Sequence, residues 1–392
     1  MAKERLWTRD FIALVLTNGL LFAGFHLLLP TLPLYASDLG ANGTDIGLIG
    51  GIFGYSAIFI RLFTDTEVRV FGKRKCLYAG LLLSILATIC YAVFPSIGLI
   101  IVARVIHGLG FGLSTTFAAA MAADTIPAAR RGEGIGYFGL GSTVAMALAP
   151  AFGLAMLTDI SPAYLFICSG ALSLLAIGSV LVCHNETVQQ VSPIHSSIKN
   201  RLYESGTGIP AIFTIMFGAA YGGVNTFIAM MASEAGINGA GLFFVIGTCF
   251  IFISRPFGGR LLDKRGAFAV VMPGAVFYLV ALLVIIRATS LTMLVGTSIF
   301  YGLGAGLLLP ALMTWMLNVV RADRRSAASA TFYNMLDIGT STGILTLGGV
   351  AGTVGYIAMY WFIAGIMVLF LAFGIFQHFI CTKERNLEEV EE

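Results

Sequence analysis

Gly108-Leu109-Gly110-Phe111-Gly112 recurs 194 residues later as Gly302-Leu303-Gly304-Ala305-Gly306. The same shift carries Arg61 and Phe63 onto Arg255 and Phe257, and Arg130-Arg131 onto Arg324-Arg325. A shift of 196 lays Ala36-Ser37-Asp38 on Ala232-Ser233-Glu234. Matches this numerous at nearly one spacing divide the chain into two halves built on a parallel plan. Both glycine runs lie inside long apolar stretches, where small residues let helices approach closely and packing replaces the hydrophobic effect as the glue. Two such bundles enclosing a site between them is an arrangement that transporters use.

Composition supports a bilayer setting. Of 392 residues, 58% are hydrophobic and 11% charged, against about a quarter charged in a soluble domain. This excludes a water-soluble globular protein. Apolar runs fall near 11–35, 46–63, 76–94, 97–123, 134–157, 163–183, 209–233, 240–259, 267–286, 289–320, 326–350 and 353–381. Each reaches the roughly 20 residues that a helix needs to cross a bilayer, so an all-α protein with twelve transmembrane helices in two six-helix bundles is expected. The runs do not alternate as barrel strands do. Lys3, Arg5 and Arg9 precede a first run far longer than a cleavable signal core, which reads as a retained span.

With both termini on the cytoplasmic side, 19 of the 23 basic residues fall in cytoplasmic segments and only Arg287 in the opposite loops. That asymmetry sets the expected orientation, in a cell membrane and most simply a bacterial cytoplasmic one. The expected division is a first bundle over 1–183, a polar linker over 184–208, a second bundle over 209–383 and an acidic tail over 384–392 that reads as a solvated, mobile end. The net charge of +3 and the lack of a basic block argue against nucleic acid. The six cysteines form no CxxC pair, so neither a disulfide framework nor a metal knuckle is expected. Neither metal nor cofactor is called for. The expected partners are a small molecule, protons and lipid, around a monomer.

Three stretches resemble signatures of the major facilitator superfamily. Arg104-Val105-Ile106-His107-Gly108-Leu109-Gly110-Phe111-Gly112 is similar to its span-four Arg-x-x-(Gln/His)-Gly-x-Gly pattern. Gly259-Arg260-Leu261-Leu262-Asp263-Lys264-Arg265-Gly266 looks like its Gly-x-x-x-Asp-(Arg/Lys)-x-Gly loop. Ala149-Pro150-Ala151-Phe152-Gly153 resembles the antiporter Gly-Pro-x-x-Gly pattern, with Ala for the first Gly. The resemblance implies the drug:proton antiporter branch. Within it, Leu242-Phe243-Phe244, Arg255-Pro256-Phe257-Gly258-Gly259 and Asp337-Ile338-Gly339 look like the arabinose-efflux-like and quinolone-resistance-like cluster, which includes staphylopine exporters. The loop after span two departs from the pattern. Aligned on Gly72, Asp65 stands where the family has Gly and Arg69 where it has Asp. The latch this loop forms in the family is therefore altered or rebuilt as an Asp65–Arg69 i,i+4 pair.

Several polar residues sit at membrane depth, where they are costly and usually functional. Asp337 is the sole carboxylate well inside a span and is the expected proton carrier. Arg104 needs either a cavity or helix carbonyls for its charge, with His107 at i+3 on the same face. His26 lies mid-span with an ordinary pKa range suited to proton exchange, though a satisfied core histidine is an equal reading. Asn18, Tyr221, Asn225 and Asn334 add recognition groups, Tyr221 and Asn225 at i,i+4, and Phe111 and Tyr301 add aromatic wall. Arg61 and Arg255, repeated in both halves, are gating candidates beyond snorkelling to headgroups. Pro150 and Gly153 join them as bend and packing positions.

The function this reading supports is a secondary active exporter of an amphipathic small molecule, driven by proton entry through alternating access. A facilitator or symporter for uptake is the alternative. A membrane-embedded enzyme is remote, because one deep carboxylate and five scattered histidines do not make a catalytic cluster.

Overall fold

The structure is a computed structural model and describes residues 5–63, 70–127, 130–183, 202–321 and 324–391. Helices make up the regular structure, and among the described residues no strand forms. The first half holds α1 (Arg9–Asp38, broken at Pro30), α2 (Gly43–Arg61), α3 (Lys73–Val93), α4 (Ile97–Thr125), α5 (Arg131–Ala155, prolonged by a π turn, Met156–Ile160) and α6 (Pro162–Leu181). The second holds α7 (Gly208–Glu234), α8 (Gly241–Arg265), α9 (Phe268–Ile285) and α10 (Leu291–Asn318), then a continuous helical stretch, Arg325–Glu391.

Eleven of these stretches are long and apolar enough to cross a bilayer, and the last one, Ala327–Gln377, is 51 residues. Straight, it would measure roughly 76 Å, more than twice the hydrocarbon core. It turns at Gly355 (φ 84°, ψ 168°), a conformation essentially confined to glycine, and so supplies both α11 (325–354) and α12 (356–391). The twelve expected spans are thus present. The backbone remains helical through Glu391, as Glu, Leu, Lys and Arg, all good helix formers, allow.

The span ends are set locally. Thr8 accepts from the amide of Phe11, Asn42 and Asp45 form a capping box at α2, and Ser161 caps α6 with Pro162 at its first turn. Ser290 accepts from Met293 at α10. These caps satisfy amides that a bilayer cannot.

Within the first half α1 packs on α5 and α6, α3 on α4 and α6, and α2 on α4; in the second half α7 packs on α11, α8 on α10, and α9 on α10. The halves meet along two seams, α2 against α11 and α5 against α8. The repeated glycines explain the internal register. A methyl on Gly108 would strike the carbonyl of Phe53, and one on Gly302 the carbonyl of Gly247. On Gly110 it would lie 2.6 Å from the Gly80 oxygen and on Gly304 2.9 Å from the Gly274 oxygen. On Gly112 and Gly306 it would meet the oxygens of Ala57 at 2.7 Å and Ile251 at 2.8 Å. Every partner pair is separated by the same 194 residues. The sequence repeat is therefore a repeat of close backbone contacts on three helices of each half.

Candidate functional site

In the first half the deep polar groups form one nest. Arg104, 2% exposed, donates from Nε to the Ile49 carbonyl at 2.9 Å, and its guanidinium lies over the Phe53 ring at 4.3 Å. Its Nη1 is buried without a partner. Tyr91 Oη and His107 Nδ1 are 3.3 Å apart, and the Phe53 ring meets His107 edge-on at 5.3 Å. Phe25 stacks on Phe53 at 4.6 Å, and Phe111 contacts both rings. His26 is buried beside Phe22 and Phe25. The structure thus brings Arg104, His107, Phe111 and His26 together on α1 and α4, with Phe53 and Tyr91 as members that sequence reasoning missed.

The second half gathers Tyr221, Asn225 and Tyr301. Asn225 Nδ2 donates to Tyr301 Oη at 2.9 Å and to the Tyr221 carbonyl at 2.8 Å, and the two tyrosine rings stack at 6.4 Å. Phe243 and Tyr278 close around Tyr301.

Two predicted recognition groups are spent on helix ties. Asn18 donates to the Phe138 carbonyl on α5 at 3.1 Å, and Asn334 to the Leu202 carbonyl at 3.3 Å. Beside Asn334, the buried Glu204 receives both Arg324 Nε (2.9 Å) and Nη2 (2.6 Å), a bidentate pair that fixes the approach to α7.

Asp337 differs most from its expected isolation. Arg61 Nη1 donates to Asp337 Oδ2, and Arg61 Nη2 to Thr115 Oγ1 at 3.3 Å. The Asp337 side chain is 35% exposed, so it is neither alone nor fully enclosed. Sequence reading could not join residues 276 positions apart, because only the packing of α2 on α11 brings them together. Thr115 carried a weak signal, since it extends the Arg104, His107, Phe111 stripe by another turn of α4. The same seam holds the Tyr55 and Thr342 hydroxyls 2.6 Å apart.

Arg255, the repeat mate of Arg61, lies exposed over the Phe252 ring at 5.6 Å. α5, which faces α8, has no Asp or Glu from Gly134 to Ala155. Gly72 and Gly266, again 194 apart, share positive φ (81° and 78°) at the start of α3 and the end of α8. Asp65 and Arg69 lie outside the described residues. Gly259 has open space around it, and Asp263 is exposed. Gly153 abuts the Leu27 carbonyl next to His26, and Pro150 is buried within α5. A cavity of about 430 Å³ lies on the outer flank between α1 and α6, lined by Arg9, Ile12, Ala13, Leu16, Ser179 and Val182. It contains none of the deep polar groups.

Two like bundles, joined by paired seams and carrying polar nests on their repeat-related helices, define a transporter. Comparison with known proteins agrees: the Major Facilitator Superfamily profile matches residues 14–266 and 210–389, and the chain belongs to that family. Quinolone resistance protein NorA of Staphylococcus aureus (strain MSSA476) is 22% identical over 386 residues, covering 94% of this chain and 97% of that protein. Staphylopine export protein of Staphylococcus aureus (strain Mu50 / ATCC 700699) is 26% identical over 380 residues, covering 92% and 93%. The crystal structure of nucleoside transporter NupG superposes with a TM-score of 0.77 at 15% identity over 94% of this chain and 98% of that one. A POT family transporter crystallised with a thioalcohol-conjugated peptide superposes with a TM-score of 0.76 at 13% identity, over 93% and 95%. The structural likenesses show the fold. Family membership makes this a multi-pass membrane protein with a small-molecule substrate.

Proposed function

We propose that the protein is a secondary active exporter that carries an amphipathic small molecule out of the cytoplasm in exchange for protons, by alternating access. The two named relatives support efflux. The observation that carries the proton coupling is the Arg61–Asp337 pair, an ionisable tie between the two bundles. A proton on Asp337 removes the charge that holds Arg61, and Thr115 stays as a partner of the guanidinium. Protonation therefore loosens one seam, and a differential affinity of two facing states for the proton is what lets a gradient drive the exchange.

Arg104, His107, His26, Phe111, Tyr221, Asn225 and Tyr301 form the walls that a substrate meets, and Arg61, Arg255, Pro150, Gly153, Gly259 and Asp263 belong to the moving seams and loops. The basic-residue asymmetry supports cytoplasmic termini, with bundles over 1–183 and 209–383 around a 184–208 linker. The experiment is substrate-dependent dissipation of an imposed pH gradient in everted membrane vesicles, across a panel of amphipathic compounds. Uptake that needs no gradient, or accumulation in the opposite sense, would replace export with facilitated or symported entry.

A further inference from the structure

The charges at membrane depth do not balance. Arg61, Arg104 and Arg255 lie within spans against a single deep carboxylate, Asp337, and Arg61 takes that carboxylate. The buried charged side chains among the described residues are Arg104 and Glu204, and Glu204 is held by Arg324. Arg104 is left with the Ile49 carbonyl, the Phe53 face and the Tyr91 hydroxyl, has no counter-ion among the described residues, and its Nη1 has no acceptor. A guanidinium buried in this way gains most from an oxyanion, which supplies both the missing acceptor and the missing charge.

We propose that the transported molecule carries an acidic group, a carboxylate or comparable oxyanion, and that Arg104 anchors it through Nη1. This rests on the transport reading above and narrows its substrate to acids or zwitterions with an apolar body. Nη1 is enclosed in the conformation seen. The Phe53 ring covers the guanidinium, and its neighbours Phe25 and Phe111 are only half-buried. The acid reaches Arg104 by turning Phe53 aside, and the molecule's own apolar body then packs on the displaced rings. A cation is excluded by the same arrangement, because neither nest contains a free carboxylate among the described residues. The hydroxyl and amide groups of Tyr221, Asn225 and Tyr301 bind neutral polar parts on the other side.

The test uses the full chain in lipid nanodiscs and three probes with one aromatic body: naphthalene-2-acetate, naphthalene-2-acetamide and 2-naphthylethylammonium. Calorimetric titration at neutral pH is expected to show the acetate binding about tenfold more tightly than either other probe, the scale of one charge-assisted hydrogen bond. Arg104→Gln is expected to erase the preference. Arg104→Lys should keep its sign with lower affinity, since the ammonium retains charge without the planar fork. Equal binding of the three probes, no binding of the acetate to wild type, or a preference that survives in Arg104→Gln overturns the proposal. Binding here needs no proton gradient. A negative result therefore leaves proton-driven export standing, and failure of export in vesicles leaves the binding result standing.

Discussion

Where the first half places Arg104, His107 and Phe53, the second places Ser298, Tyr301 and Gly247 at the same spacing of 194. In one half an aromatic ring covers a guanidinium; in the other, glycine leaves room for the Tyr301 ring, whose edge would come within 3.1 Å of a methyl at Gly247. The backbone contacts around these positions coincide residue for residue. The frame is therefore symmetric and its chemistry is not. The seams repeat this division, because α2 and α11 share an ion pair while α5 has no Asp or Glu from Gly134 to Ala155 to pair with Arg255. On the export reading proposed above, the proton acts on the α2–α11 seam, where the ion pair stands.

The sharpest break of this comparison is Asp337→Asn. It should abolish pH-gradient-driven transport while leaving folded protein in the membrane and exchange driven by substrate alone intact, as read by counterflow in vesicles. Gradient-driven efflux at wild-type rate would show that the proton is carried elsewhere.

Next in size, Arg61→Gln should reduce transport far more than Arg255→Gln, because only the first removes a tie between the halves. Equal losses in a side-by-side vesicle assay would mean that the two seams work alike. The converse construction is Thr143→Asp, at the repeat spacing from Asp337. It should give Arg255 a partner, lock the second seam and slow turnover, and Arg255→Gln should relieve the lock.

The frame itself predicts matched effects. Gly110→Val and Gly304→Val should each lower stability by about 1–3 kcal/mol, the usual cost of overpacking, and by similar amounts in thermal unfolding in detergent. A difference beyond that range would show that the two glycine contacts are not equivalent. The smallest effect is expected at Tyr301→Phe, which removes one acceptor from the Asn225 amide and should cost about 1 kcal/mol, with no counterpart on replacing Ser298 by Ala, since the Ser298 hydroxyl bonds only its own helix at the Val295 carbonyl.

The fold was legible because its determinants are local and periodic. Runs of twenty apolar residues specify spans, and glycines 194 apart mark the places where helices of each bundle touch. The break at Gly355 was legible too, close to the gap between the runs 326–350 and 353–381; which residue takes the positive φ was not. The chemistry was legible only where residues share a helix face, as Arg104, His107 and Phe111 do, or Tyr221 and Asn225. Asn18 looked like a recognition group because a lone amide in a span is conspicuous, yet the carbonyl it satisfies belongs to α5 and could not be foreseen. Asp337 looked isolated for the same reason. Its counter-ion stands on a helix of the other half, and sequence spacing carries no record of which helices cross.

The seam between α2 and α11 brings main chain against main chain. A methyl on Gly47 would lie 2.8 Å from the Leu345 oxygen, and one on Gly51 2.8 Å from the Ser341 oxygen, while Gly43 faces Gly352. Side chains that interlock must change rotamer before two surfaces separate, and each such change adds to the kinetic barrier. Where hydrogen atoms on α-carbons line it, at Gly43, Gly47 and Gly51, the seam has no rotamers to change on that face. Those stretches can part and rejoin as rigid ribs held by weak Cα–H to carbonyl contacts, which leaves the side-chain ties described on this seam, Arg61–Asp337 and Tyr55–Thr342, as the contacts that separation must break.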